Sequence, residues 1–202
     1  FVQESSNRQK DAAVICAFND GYSGDGFLSP TDGRVANTIN TLNQLFHSTF
    51  PINSRDDGLG LPGILYGRYA GDHYAGGNPW ILTTNALAQL YYRGAKEALE
   101  VGPPSVEDQA KWRTAMRLED DADLSTAESF SAALATTGDG VLTRVRYHIL
   151  GLDYHMYEQL DKNTGFEISA SDLTWSYATL LKAMHARDAY VATAKSMGLD
   201  RV

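Results

Sequence analysis

Apolar side chains recur along most of this chain at three- and four-residue intervals, the period of an amphipathic helix. Val35, Ile39, Leu42, Leu45 and Phe46 follow the turn signal Ser29-Pro30-Thr31-Asp32-Gly33 and predict one helix. Leu82, Leu87, Leu90, Tyr91, Ala95 and Leu99 predict a second, from Trp80 to Leu99, stopped by Gly102-Pro103-Pro104. A third runs from Ser105 or Val106 through Trp112 and Met116. Ser125-x-x-Glu128 has the pattern of a capping box and opens a short Ala-rich helix expected to stop near Gly138. Val141, Leu142, Val145, His148, Ile149 and Leu152 predict the next. The last spans Asp172 to Arg187, with Ser171 or Asp172 as its cap. No segment alternates as a strand does, which leaves room only for short strands in the Gly-rich stretches. The fold class is all-α.

Three connections are long and rich in Gly, Asp and aromatic residues: Asn19 to Gly33, Ile52 to Pro79, and Tyr154 to Ser171. Long irregular connections carry function or are disordered, and Tyr22, Tyr66, Tyr69, Tyr74, Tyr154 and Tyr157 argue for order. Helices joined alternately by short and long loops fit a ring of hairpins, an α/α toroid with its long loops at one end. They also fit a generic helical bundle.

Composition narrows the class of partner. The 202 residues are 43% hydrophobic and 21% charged, the profile of one soluble domain. No window approaches the ~18 consecutive apolar residues of a membrane span. A net charge of −8 without a Lys/Arg cluster speaks against nucleic acid and leaves a neutral ligand compatible. Lys111-Trp112-Arg113 reads as a solvated helix face. Cys16 is the only cysteine, so no disulfide forms within the chain, and its place in the run Ala12 to Phe18 reads as a small buried hydrophobe. The five histidines lack metal-ligand spacing and no nucleotide-binding pattern occurs, so no cofactor or metal is expected. The first residue is Phe1, which predicts a processed chain, a fragment, or part of something longer.

A carbohydrate site needs side chains that bond hydroxyls in pairs, aromatic faces to cover the sugar, and carboxylates for acid/base work. Gly67 to Trp80 offers the first two: Arg68 supplies a rigid fork of donors, Asp72 can orient it, and Tyr74 and Trp80 supply faces. An Arg–Asp ion pair bracing a loop above buried aromatics explains the same residues. Tyr157 to Tyr177 offers the carboxylates. Glu158 closes a helical region, against the unfavourable end of its dipole. Asp161, Lys162 and Glu167 read as turn and surface charges, and Ser169 is free to hold a neighbouring carboxylate.

Taken together these segments resemble the fungal-type glucoamylases, glycoside hydrolase family 15. The carriers are Gly67-Arg68-Tyr69 with Asp72 and Gly77-Asn78-Pro79-Trp80, then Glu158-Gln159 with Leu173-Thr174-Trp175-Ser176-Tyr177-Ala178, and more weakly Lys10-Asp11-Ala12. They run in family order from about Lys10 to Arg187. The resemblance implies an (α/α)6 barrel of which residues 1–202 supply the second half as one domain. It implies Glu158 as general base, supported by Ser169 and Gln159, with Arg68, Asp72, Tyr74, Trp80 and Trp175 at the substrate. The implied reaction is inverting removal of β-glucose from the ends of starch- or glycogen-type glucans, at α-1,4 bonds and more slowly at α-1,6, in a secreted, vacuolar or lysosomal-type compartment.

The sequence departs from the family in three ways. Ala70-Gly71 stands where the family has Pro-Glu, removing one carboxylate near the outer subsites. The disulfides of secreted fungal members cannot form. No Trp-Glu-Glu segment with the general acid is present, so an N-terminal half of the same catalytic domain is the expected partner. Alone the chain is expected to be inactive, with apolar helix faces left uncovered. A catalytically inactive sugar-binding or structural homologue, or a hydrolase of another α-glucoside such as trehalose, fits the same motifs.

Overall fold

The computed structural model describes residues 1–199, and among these the chain is mostly helical. The helices are α1 (Ala13–Gly21), α2 (Gly33–Thr49), α3 (Pro51–Gly58), α4 (Ile81–Val101), α5 (Val106–Met116), α6 (Ala127–Ile149) and α7 (Thr174–Ser196). Two short strands, β1 (Gln159–Leu160) and β2 (Glu167–Ile168), form an antiparallel hairpin.

Helix α4 is the axis of the fold. Every residue from Ile81 to Tyr92 is buried, because α6, α7 and α1 all pack around it. Gly94 of α4 faces Leu134, and Tyr92 faces Gly138, so α4 and α6 run in opposite directions. Asn85 donates to the Ser176 carbonyl (3.2 Å), while Tyr92 and Arg187 share Asp139, so α7 runs alongside α4 in the same sense. Helix α7 turns Ala183, Tyr190 and Ala194 inward and leaves Trp175, Leu181 and Met184 exposed.

Several expectations need correction. Helix α6 does not stop at Gly138: it continues to Ile149. Gly138 and Gly140 sit inside it because side chains there would collide with Tyr92 and Pro62, so these glycines mark close packing and not a helix end. Its N-terminal box is one residue later than expected, with Thr126 and Ser129 bonding each other's backbone N–H. Neither Ser171 nor Asp172 caps α7; Leu173 precedes it without a side-chain bond, and Asp172 bonds His155 (2.7 Å) and Tyr177 (2.5 Å) instead. Trp112 is fully buried between Tyr91 and Phe130 and donates to the Thr31 carbonyl (2.8 Å), so only Lys111 and Arg113 of that triplet face outward. Cys16 is only half-buried.

Helix α3 lies where the sequence predicts a loop, since the segment has little apolar periodicity. Acidic side chains hold it in place. Asp56 pairs with buried His148 (2.7 Å). Asp57 accepts from Arg144 (2.6 Å), Arg117 (2.7 Å) and His47 (3.0 Å). Burial alone would raise the Asp57 pKa, but these three donors outweigh it and pull the carboxyl from 3.8 to about 2. A depressed carboxylate stabilises the fold above its unfolded pKa and loses that contribution as it protonates. Thermal unfolding is therefore expected to show a loss of stability between about pH 4 and pH 2, with a shallower slope in Asp57→Asn. An identical acid slope in that variant would remove Asp57 from the account.

Candidate active site

The long loop before α4 is anchored at its start by strand-like pairing with residues 10–12. The Ala12 N–H donates to the Arg68 carbonyl (2.6 Å) and the Ala70 N–H to the Lys10 carbonyl (3.1 Å), around a bridge between Asp11 and Tyr69. The weak Lys10-Asp11-Ala12 signal thus lies beside the Arg68 loop. Arg68 donates through Nε (2.7 Å) and Nη2 (2.6 Å) to the two oxygens of Asp72. Its guanidinium lies over the rings of Tyr74 (4.8 Å) and Trp80 (5.1 Å), which are themselves 5.9 Å apart. Asp72 also accepts from the Tyr74 N–H (3.0 Å). Burial would raise the Asp72 pKa, yet the Arg68 fork and that amide hold it below 3.8. Asp72 in turn holds Arg68 above its ordinary range. The bracing ion pair and the fork of donors are therefore one arrangement: Asp72 fixes the guanidinium, and Nη1 has no protein partner among the described residues.

Glu158 lies in an extended segment joined to three elements. Its carbonyl accepts from the Ile81 N–H (3.3 Å), the Leu160 N–H donates to the Pro79 carbonyl (3.0 Å), and its own N–H donates to the Ala170 carbonyl (2.8 Å). The Leu173 N–H donates to the Met156 carbonyl (3.0 Å) and Ser176 Oγ to the Tyr157 carbonyl (2.9 Å). Residues 156–160 thus cross the N-terminal ends of both α4 and α7. This overturns the expectation of a helix C-terminus: α6 ends at Ile149, and the helix dipoles near Glu158 favour negative charge.

The carboxylate is oriented by two donors. Ser169 Oγ (2.5 Å) and Gln159 Nε2 (3.1 Å) both reach Oε2, and Oε1 has no partner among the described residues. Ser169 holds its place at φ 72°, a left-handed conformation that costs an L-residue roughly 1–2 kcal/mol.

The structure joins the two clusters through Trp80, whose backbone bridges Gln159 and whose ring meets Arg68 and Tyr74. Trp80 is buried, while Tyr74 is exposed. Trp175 is on a turn of α7 tied to Tyr157, but the residue is 59% exposed, and no ring stacking or cation–π contact joins it to Arg68, Tyr74 or Trp80 among the described residues. A half-open cavity of about 580 Å³ beside His148 is lined by other residues, among them Arg55, Tyr147 and Phe166.

Asp161 organises its turn as expected, accepting from the Asn163 and Thr164 amides. Glu167 is not a free surface charge: it accepts from the Tyr157 N–H (2.9 Å), its other oxygen is buried without a partner, and burial raises its pKa. Asn78, which carries the resemblance without a role of its own, is buried and bonds Gln159 across 81 residues of sequence (3.1 Å). Nothing local in the sequence signals that contact. No group of three His, Cys, Asp or Glu among the described residues is placed to hold a metal.

Comparison with known proteins bears on the family and the fold. The model of Glycosyl hydrolases family 15 matches residues 1–185. A glucoamylase of Blastobotrys adeninivorans is 33% identical over 195 residues, covering 89% of this chain and 31% of that protein. Glucoamylase 1 of Rhizopus oryzae is 30% identical over 197 residues, covering 90% and 32%. The family 15 glucoamylase structure from Hypocrea jecorina superposes with a TM-score of 0.76 at 24% identity, covering 92% of this chain and 33% of that one, and establishes the fold as that of the (α/α)6 barrel enzymes. The chain spans about a third of the length of these relatives. With most of its residues matched by the family model and its helices by a family structure, the chain belongs to glycosyl hydrolase family 15.

Proposed function

We propose that residues 1–202 form one unit of an inverting, exo-acting glucoamylase, in which Glu158 is the general base. The observation that carries this reading is the asymmetric bonding of the Glu158 carboxylate. Two donors stabilise negative charge on Oε2, while Oε1 is left to accept a proton. Water held at Oε1 would lose that proton as its oxygen attacks the anomeric carbon, and the bond to the leaving sugar oxygen would break on the opposite face. A second carboxyl, about 6.5–9.5 Å away to leave room for the water, must protonate that oxygen. No residue of this chain resembles it, so the proposal assigns it to an N-terminal half of the catalytic domain.

Arg68, steadied by Asp72, would donate to sugar hydroxyls; Tyr74 and Trp80 would supply apolar faces, and Trp175 would stand on the far side of the pocket once the remaining wall is present. The substrate class is the non-reducing ends of starch- or glycogen-type glucans, and the setting a secreted or vacuolar-type compartment.

The reading is tested by proton NMR of the first glucose released from maltose by the complete enzyme, run beside the 202-residue chain alone. The expected product is the β-anomer from the complete enzyme and no turnover from the chain. An initial α-anomer, or glucose from the isolated chain, would contradict the assignment. Trehalose cleaved in preference to maltose would shift the substrate class but leave the base in place.

A further inference from the structure

Asn78 and Gln159 are both buried, so every donor and acceptor on their amides must be matched inside the protein. A side-chain amide has nearly the same shape in its two flipped orientations, and only its hydrogen-bond partners choose between them. For Asn78 those partners have fixed polarity. The Ala75 carbonyl, which can only accept, lies 2.8 Å from Nδ2. The Lys162 N–H, which can only donate, lies 3.2 Å from Oδ1. A flipped Asn78 would set oxygen against oxygen and N–H against N–H.

Once Asn78 is fixed, Gln159 is fixed as well. Asn78 Nδ2 also donates to Gln159 Oε1 (3.1 Å), so Gln159 Nε2 must point the other way, to Glu158 Oε2 (3.1 Å). We propose that Asn78 is a positioning residue for hydrolysis, acting through Gln159 to keep an N–H, and not an amide oxygen, against the general base. This rests on the reading of Glu158 given above.

The backbone that sets this polarity is itself constrained. Ala75 sits at φ 46° and is followed by Gly76 and Gly77, both also left-handed, and the Lys162 ammonium donates to the Gly76 carbonyl (2.7 Å). The turn that presents the Ala75 carbonyl belongs to the loop carrying Arg68, Asp72 and Tyr74. The sugar-binding loop therefore also dictates which atom faces the carboxylate. Five charged groups on these elements are engaged elsewhere: Lys162 on Gly76, Glu167 on the Tyr157 N–H, Asp161 on its turn amides, Asp172 on His155 and Tyr177, and Arg68 on Asp72; the His73 imidazole of the same loop makes no hydrogen bond to Glu158 or Gln159. The donors on Glu158 are thus one neutral amide and one hydroxyl.

The test is Asn78→Asp in the complete enzyme, a change that keeps shape and removes the donor. Gln159 is then expected to turn its NH2 toward residue 78 and its oxygen toward Glu158, which favours the protonated carboxyl. The acid limb of kcat/KM against pH is expected to move up by about one unit and kcat to fall about tenfold, the weight of one hydrogen bond to a charged group. KM should change little. Gln159→Met removes the donor without adding repulsion, so its limb should move less, in the same direction. In the double variant Asn78→Asp with Gln159→Met, the Asp should add nothing beyond Gln159→Met alone.

An unmoved acid limb in Asn78→Asp, or an effect undiminished in the Gln159→Met background, overturns the proposal. Should Asn78→Asp not accumulate as folded protein, Asn78→Ala carries the same expectation with a smaller displacement. Glu158→Gln, assayed in parallel, separates the two layers: activity retained there removes the general-base reading itself. Activity lost there, with the Asn78→Asp limb unmoved, removes only the role of Asn78.

Discussion

Glu158→Gln in the complete enzyme is expected to lower kcat on maltose by about 10³-fold, within the 10²–10⁴ that general acid–base catalysis contributes, with KM changed by less than about threefold. Glutamine keeps the size of the side chain and still accepts from Ser169 and Gln159, which meet a single oxygen of residue 158. The lost property is the capacity of the other oxygen to take a proton. Because Arg68, Tyr74 and Trp80 are held by their own contacts and not by Glu158, binding should survive. The acid limb of the pH–rate profile should vanish together with the rate. Steady-state kinetics between pH 3 and 8 would decide the matter, and a variant within tenfold of the parent would place the base elsewhere.

The largest structural effect is expected at Arg144. Its side chain is fully buried in α6 and donates to Asp57 (2.6 Å), Asn53 Oδ1 (3.1 Å), the Pro62 carbonyl (2.9 Å) and the Leu61 carbonyl. One planar fork thereby ties α6 to α3 and to the loop that leads toward Arg68. Methionine fills comparable space but leaves the buried carbonyls without a donor. Breaking a buried pair in this way costs about 3–5 kcal/mol, a large share of the 5–15 kcal/mol that typically separates folded from unfolded domains. Arg144→Met is expected to lower Tm by about 10 °C or more, and Arg144→Lys by less, since an ammonium keeps the charge but not the fork. A Tm within about 2 °C of the parent would mean that the loop and α3 are held by other contacts.

Periodicity in the sequence located α2, α4, α5 and α7, because apolar residues recur in each at three- or four-residue spacing. It missed α3, whose Pro-Ile-Asn-Ser-Arg-Asp-Asp-Gly sequence has little apolar stripe and is held by ion pairs to Arg144 and His148 from far along the chain. It also broke α6 at Gly138, where local propensity says stop and packing against Tyr92 requires the smallest side chain. In the site, Arg68 with Asp72 was legible because the partners are four residues apart. Trp175, which the resemblance places at the substrate, is exposed on the first turn of α7.

A resemblance of motifs pointed to the glucoamylases; by itself, the sequence determined that this chain is helical and acidic, that Arg68 and Asp72 share an aromatic-rich loop, and that Ser169 follows Glu158 closely. These are properties of composition and of short spacing, readable wherever interacting residues lie within a turn or a loop of one another. The tertiary structure alone decided which oxygen of Glu158 is held and which is free, that two helix N-termini rather than a C-terminus flank it, and that Asn78 bonds Gln159. The last of these depends on groups 81 and 84 residues apart meeting at the Asn78 amide. A linear pattern contains no record of such meetings, because hydrogen bonds are chosen by distance and polarity in space.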